Sequence, residues 1–80
     1  MFTVQSTRIG SLDRDAFEAI VTLFPTGPGR WHISTEHRSV CDSPVVAHRA
    51  DAVGEDDAAE KYEHARELAR KWVASKRIPW

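Results

Sequence analysis

The sequence predicts an α+β fold: a small antiparallel β-sheet of three to four strands in meander order, covered on one face by a long C-terminal α-helix. Three observations predict it. From Glu55 to about Lys76 there is neither Gly nor Pro, and apolar residues recur at spacings of four and three. The chain before that point carries short runs rich in β-branched residues. Gly- and Pro-bearing segments separate these runs and are short enough to make hairpins. Eighty residues hold one small domain, over 1–80, because two independently cored domains would not fit.

Taken in order, Thr3 to Ile9 reads as the first strand, and Gly10 ends it. Phe17 to Phe24 fits two patterns. As a strand it aligns Phe17, Ala19, Val21 and Leu23 on one face, and Ile20-Val21-Thr22 is a β-branched run. As a helix starting from a cap at Ser11 or Asp13, it gathers Phe17, Ile20, Val21 and Phe24, which gives the alternative order β-α-β-β-α. The strand is favoured, since Pro25 to Gly29 then forms a compact five-residue turn onto Arg30–His37. Along that next strand Trp31, Ile33 and Thr35 point one way and His32, Ser34 and Glu36 the other. Pro44 to Ala50 is the last strand, with Pro tolerated at its start.

The helix joins Ala58, Tyr62, Ala65, Ala69, Trp72 and Lys76 in one stripe, widened by Leu68 and Val73. Acidic residues crowd its first turns and basic residues its last, complementing the helix dipole. Asp57–Lys61 and Glu67–Lys71 are favourable i,i+4 pairs. Gly54 marks the start and Pro79 the stop. The expected core joins this stripe to the strands: Trp31, Ile33, Val21, Tyr62, Ala65, Ala69 and Trp72.

Hydrophobic content of 41% with 29% charged residues fits a soluble globular chain. No apolar run is long enough for a membrane span, and the first residues lack the pattern of a signal peptide. A single cysteine, Cys41, leaves no intramolecular disulfide, so a cytoplasmic setting is expected. A net charge of −1 argues against bulk attraction to nucleic acid or an anionic membrane, and no membrane partner is expected.

The four histidines do not form a metal pattern. His32 and His37 have opposite strand parity, and the His37–Cys41 spacing straddles a strand end and a loop. Cys41 with His37 or His48 lacks any strand-to-helix elbow or adjoining glycine for oxyanion stabilisation. Thr26-Gly27-Pro28-Gly29-Arg30 lacks the Gly-Lys-Ser/Thr ending of a phosphate loop. No catalytic residue, metal or cofactor is therefore expected, and the chain reads as non-enzymatic.

What remains is binding. The strand pattern turns Glu18, Ile20, Thr22 and Phe24 away from the helix, with Thr3, Gln5 and Thr7 or His32 and Ser34 beside them. Ile20 and Phe24 should then be exposed apolar groups on an uncovered face. The acidic helix start, with Asp51, Glu55, Asp56, Asp57, Glu60 and Glu63, suits a basic groove on a partner. Trp80 is either a core patch or an interface anchor. The expected partner is a protein or ribonucleoprotein, contacted through Asp56, Asp57, Glu60, Ile20, Phe24 and Trp80; a homodimer fits the same surface. By analogy of size and character alone, a phage- or mobile-element-type inhibitor such as an anti-CRISPR protein fits this description. The alternative is a weak nucleic-acid-binding module using Arg30, His32, Arg38 and Arg49 on the sheet.

Overall fold

A computed structural model describes residues 4–76. Four strands, β1 (Gln5–Ser11), β2 (Phe17–Gly27), β3 (Arg30–Ser39) and β4 (Val45–Val53), form one antiparallel sheet in sequence order. A single helical turn, α1 (Leu12–Asp15), separates β1 from β2, and α2 (Glu55–Lys76) packs on the sheet after β4. The α+β meander with a C-terminal helix is thus the observed architecture, and α2 covers the predicted Glu55 to Lys76.

The alternative order is overturned. Residues 17–24 are strand, with Phe17 opposite Ser39 and Phe24 opposite His32. A helix does start after Ser11, whose N–H donates to Asp15 Oδ2 at 3.0 Å, but it lasts one turn. Ala16 closes it in the left-handed region at φ 65°, and the β-branched run that follows pairs on both sides. The turn between β2 and β3 is tighter than expected. Gly27 lies opposite Arg30, leaving only Pro28 and Gly29 to turn the chain. Proline fixes the first turn residue's φ and Gly29 supplies φ 67° at the second, as a type II turn requires. A register shift between Pro25 and Gly27 takes up Thr26. The last strand starts at Val45 and runs through Asp51 to Val53, so Asp51 belongs to the sheet and not to the acidic helix start.

Parity and the helical stripe meet as expected. Ala19, Val21 and Leu23 of β2, Ile33 of β3 and Ala52 of β4 are buried against Ala58, Tyr62, Ala65, Ala69 and Val73 of α2. Two members of the expected core differ. Trp31 and Trp72 are half-buried and flank this cluster, while Val73, which seemed only to widen the stripe, is 1% exposed. The bulky indoles fit at the edges because the centre of α2 presents alanines, which let the helix axis approach the sheet closely. Leu68 is exposed and adds nothing to the stripe. Gln5 and Thr7 face the helix, in register with Leu23 and Val21, and Thr7 Oγ1 is 2.7 Å from the Tyr62 hydroxyl. The open-face neighbours on β1 are therefore Ser6 and Arg8. The register of β1 starts at Gln5, because Leu23 is its first partner; Thr3 lies outside the described residues.

Gly10 does not end β1. It continues the strand opposite Glu18 at φ 83°. A Cβ there would lie 2.7 Å from the Phe17 carbonyl oxygen and 3.0 Å from Val73 Cγ1, so glycine lets β2 and the C-terminal half of α2 close on β1. Gly54 has a similar φ of 86° but nothing within 4 Å of its added Cβ. Left-handed strain alone is worth about 1–3 kcal/mol. Gly10→Ala should therefore lower the urea midpoint clearly more than Gly54→Ala; equal midpoints would refute close packing at Gly10.

Candidate functional site

No described element packs on the sheet face opposite α2. Strand register orders its side chains into rows. Phe24, His32 and Asp51 form one row; Ser6, Thr22, Ser34 and Arg49 the next; Arg8, Ile20, Glu36 and Val46 the third. Gly10, Glu18 and Arg38 end the face. Ile20 and Phe24 lie on this face, as parity requires, but they are half-buried where exposure was expected. The long side chains of Arg8 and Glu36 stand directly across from Ile20 on the neighbouring strands. The His32 ring lies 5.2 Å from the Phe24 ring. Long neighbours thus shelter the apolar groups without a second layer.

Glu18 is the unexpected feature of this face, since it is only 3% exposed on a surface that no described element covers. Arg8 Nε lies 3.5 Å from one of its oxygens and Arg38 Nη1 3.4 Å from the other. Arg38 Nε also reaches Glu36 Oε1 at 3.4 Å. Two arginines and two carboxylates therefore form a self-neutralising lattice over β1 to β3. Among the described residues Arg30 and Arg49 make no such pair, so the uncommitted cations of the face lie toward its other end.

At that end His32 Nδ1 is 2.7 Å from Asp51 Oδ1. The same residue ties the face to the helix: Lys61 Nζ donates to the Asp51 carbonyl oxygen at 2.6 Å. Lys61 also pairs with Asp57 Oδ2 at 3.2 Å, and that oxygen accepts the Val53 N–H at 3.1 Å. Asp57 and Lys61 thus clasp the outer edge of β4, satisfying a donor and an acceptor that an edge strand would otherwise offer to another chain. A bulge reinforces this protection, since Thr35 lies opposite His48 and Glu36 opposite Val46, leaving Ala47 unpaired.

These contacts sort the sequence-predicted residues. Ile20, Phe24, Arg30, His32, Arg38 and Arg49 share the open face. Asp56 and Glu60 are exposed on the first turns of α2, beside the clasp. Asp57 is committed to Val53 and Lys61 and is not a free partner-facing charge. Trp80 lies outside the described residues. Sequence reasoning paired Asp57 with Lys61 but missed the clasp and the Glu18 lattice. The clasp had one visible signal: an Asp three residues after Gly54, where a side chain can reach back to the chain entering the helix.

Among the described residues no three of His, Cys, Asp and Glu gather as a metal site. His32 with Asp51 resembles an oriented base, but the nearest hydroxyl on its own strand face, Ser34, is one row away with no described hydrogen bond to it. Cys41 is exposed in the loop after β3. A groove of about 500 Å³ lies between the start of α2 and the sheet, with Leu23, Ala58 and Tyr62 in its lining and Glu55, Glu63 and Arg66 among its charged groups. Compared with known proteins, the chain matches no family model, no curated protein and no solved structure significantly.

The clasp has a pH signature. The Val53 amide first, then the Lys61 ammonium, holds the Asp57 carboxyl below its ordinary range. A carboxyl whose folded pKa is depressed stabilises the fold above its unfolded pKa of about 4, and that contribution is lost as pH falls through the folded value. Asp57→Ala should lower the melting temperature at pH 7, and its gap from wild type should close as pH falls below about 4. A gap independent of pH would show that the clasp does not depend on the charge.

Proposed function

We propose that this chain is a non-catalytic binding protein whose open sheet face occupies a surface on a larger macromolecular partner. One observation carries the reading: a full sheet face outside the α2 packing presents Ile20 and Phe24 within a frame of arginines and carboxylates. Ile20 and Phe24 are half-buried and stand on either side of a polar row, and a surface that mixes apolar contact with hydrogen-bonding groups is of the kind proteins recognise. The partner is a protein, or the protein surface of a ribonucleoprotein. Exposed Asp56 and Glu60 on α2 act at most in steering encounter. An inhibitor that works by occlusion, of the phage-borne kind, is one form of such a binder, and the cytoplasm is its expected compartment.

The nucleic-acid reading is weaker for a physical reason. Arg8 and Arg38 are already matched by Glu18 and Glu36, so fewer cations are free to neutralise phosphates. The Phe24–His32 ring pair with Arg30 and Arg49 is what speaks for it. No helix among the described residues is long and apolar enough to cross a membrane.

The test is partner capture from the source cells followed by binary binding with the purified partner. Ile20→Asp with Phe24→Asp should weaken binding by roughly tenfold or more without unfolding the chain. Asp56→Lys with Glu60→Lys should change mainly the association rate and its salt dependence. Full binding by the sheet-face variant would refute the proposal. Loss specific to Arg30→Ala with Arg49→Ala, together with capture of single-stranded nucleic acid, would favour the alternative.

A further inference from the structure

At the C-terminal end of α2 three rings meet. The His37 imidazole lies parallel to the Trp72 indole, with centroids 3.8 Å apart and planes 13° apart. Phe17 meets the same indole edge-on, at 5.8 Å and 88°. Lys76 Nζ is 5.8 Å from the centroids of both Phe17 and Trp72. The rings line a cleft of about 240 Å³ that Asp42 and Lys76 also border. Two sheet residues thereby grip the last two turns of the helix, beyond the buried contact of Val73.

We propose that the His37–Trp72 stack is a pH-sensitive latch: it holds the end of α2 on the sheet while His37 is neutral and releases it when the ring is protonated. The argument is one of charge and burial. A neutral imidazole stacks on an indole in a half-buried cleft at little electrostatic cost. Protonation puts a second cation into the cleft that Lys76 already borders and requires a charged ring to stay partly desolvated. Attraction between a cation and the indole face opposes this. Burial first, and Lys76 second, nevertheless hold the His37 pKa below the ordinary imidazole value.

The other groups around the ring do not reverse the sign. Asp42 borders the cleft but is engaged locally: its N–H donates to Ser39 Oγ at 3.1 Å, and that hydroxyl donates to Asp42 Oδ2 at 3.4 Å. Arg38, beside His37 on β3, also borders the cleft; its guanidinium is paired with Glu18 and Glu36, and as a cation it opposes protonation of the ring in the same sense as Lys76. From β2 and β4 the cleft receives Phe17 and Val45, which do not titrate. The closed state therefore binds fewer protons than the released state, whose imidazole has an ordinary pKa of about 6.5. Linkage then favours release as pH falls below that value.

The test follows the assigned His37 ring, the Trp72 indole N–H and the α2 amides by NMR on the full chain between pH 8 and 4.5. His37 should titrate below 6.5, and the Trp72 and last-turn amide resonances should move with the same midpoint. Lys76→Gln should raise that midpoint, and His37→Gln should remove the response of the last turn. If His37→Gln fails to fold, the Lys76→Gln shift still decides. A His37 ring that titrates at or above 6.5, as capture by Asp42 would produce, overturns the latch. So does a ring that titrates while the end of α2 stays unmoved.

Discussion

Everything in this molecule depends on how closely α2 can lie on the sheet. Ala58, Ala65 and Ala69 turn toward it, and Ala19 and Ala52 turn back from the strands. Small residues on both sides let the helix and sheet backbones approach, so the few larger side chains, Val21, Ile33 and Val73, fill the middle completely. Among the described residues no second layer compensates for a poor fit at this one. Gly10 extends the same constraint to the sheet edge, because any side chain there would meet Val73 and the β2 backbone.

That single layer of packing has a direct consequence for binding. Among the described residues α2 covers one face of the sheet and no element covers the other. The chain meets this with long polar side chains that shelter Ile20 and Phe24 and with arginines that cover Glu18. The carboxylates that neutralise its arginines also lower its attraction for a polyanion.

The helix also disciplines the sheet at its ends. Near its start Asp57 and Lys61 clasp the outer edge of β4, and near its end Trp72 stacks on His37. One anchor rests on a carboxylate held ionised and the other on an imidazole held neutral. Both therefore weaken on acidification, in separate windows: the imidazole below about 6.5 and the carboxylate below about 4. Neutral pH is where both ends of α2 are held.

The pieces that follow from local chemistry are legible in the residues alone. An uninterrupted helical stripe fixed α2 from Glu55 to Lys76, and alternation fixed which of Trp31, His32 and Ile33 face the helix. A Pro-Gly pair fixed a reversal between β2 and β3, although not its length. Tertiary structure decided what local pattern leaves open. Phe17 to Phe24 satisfied both periods, and pairing with two neighbouring strands chose the β form. Trp72 and Val73 adjoin in sequence, and only the closeness of the alanine face decided that the smaller one enters the core. Glu18, Asp51 and Asp57 look alike in sequence as acidic residues. The roles of Glu18 as a covered carboxylate and of Asp51 as a histidine partner arise from strand register, a long-range relation that no local spacing encodes. The Asp57 contacts to Val53 and Lys61 are each four residues away and local, and only the sheet decided that they fall on an edge strand.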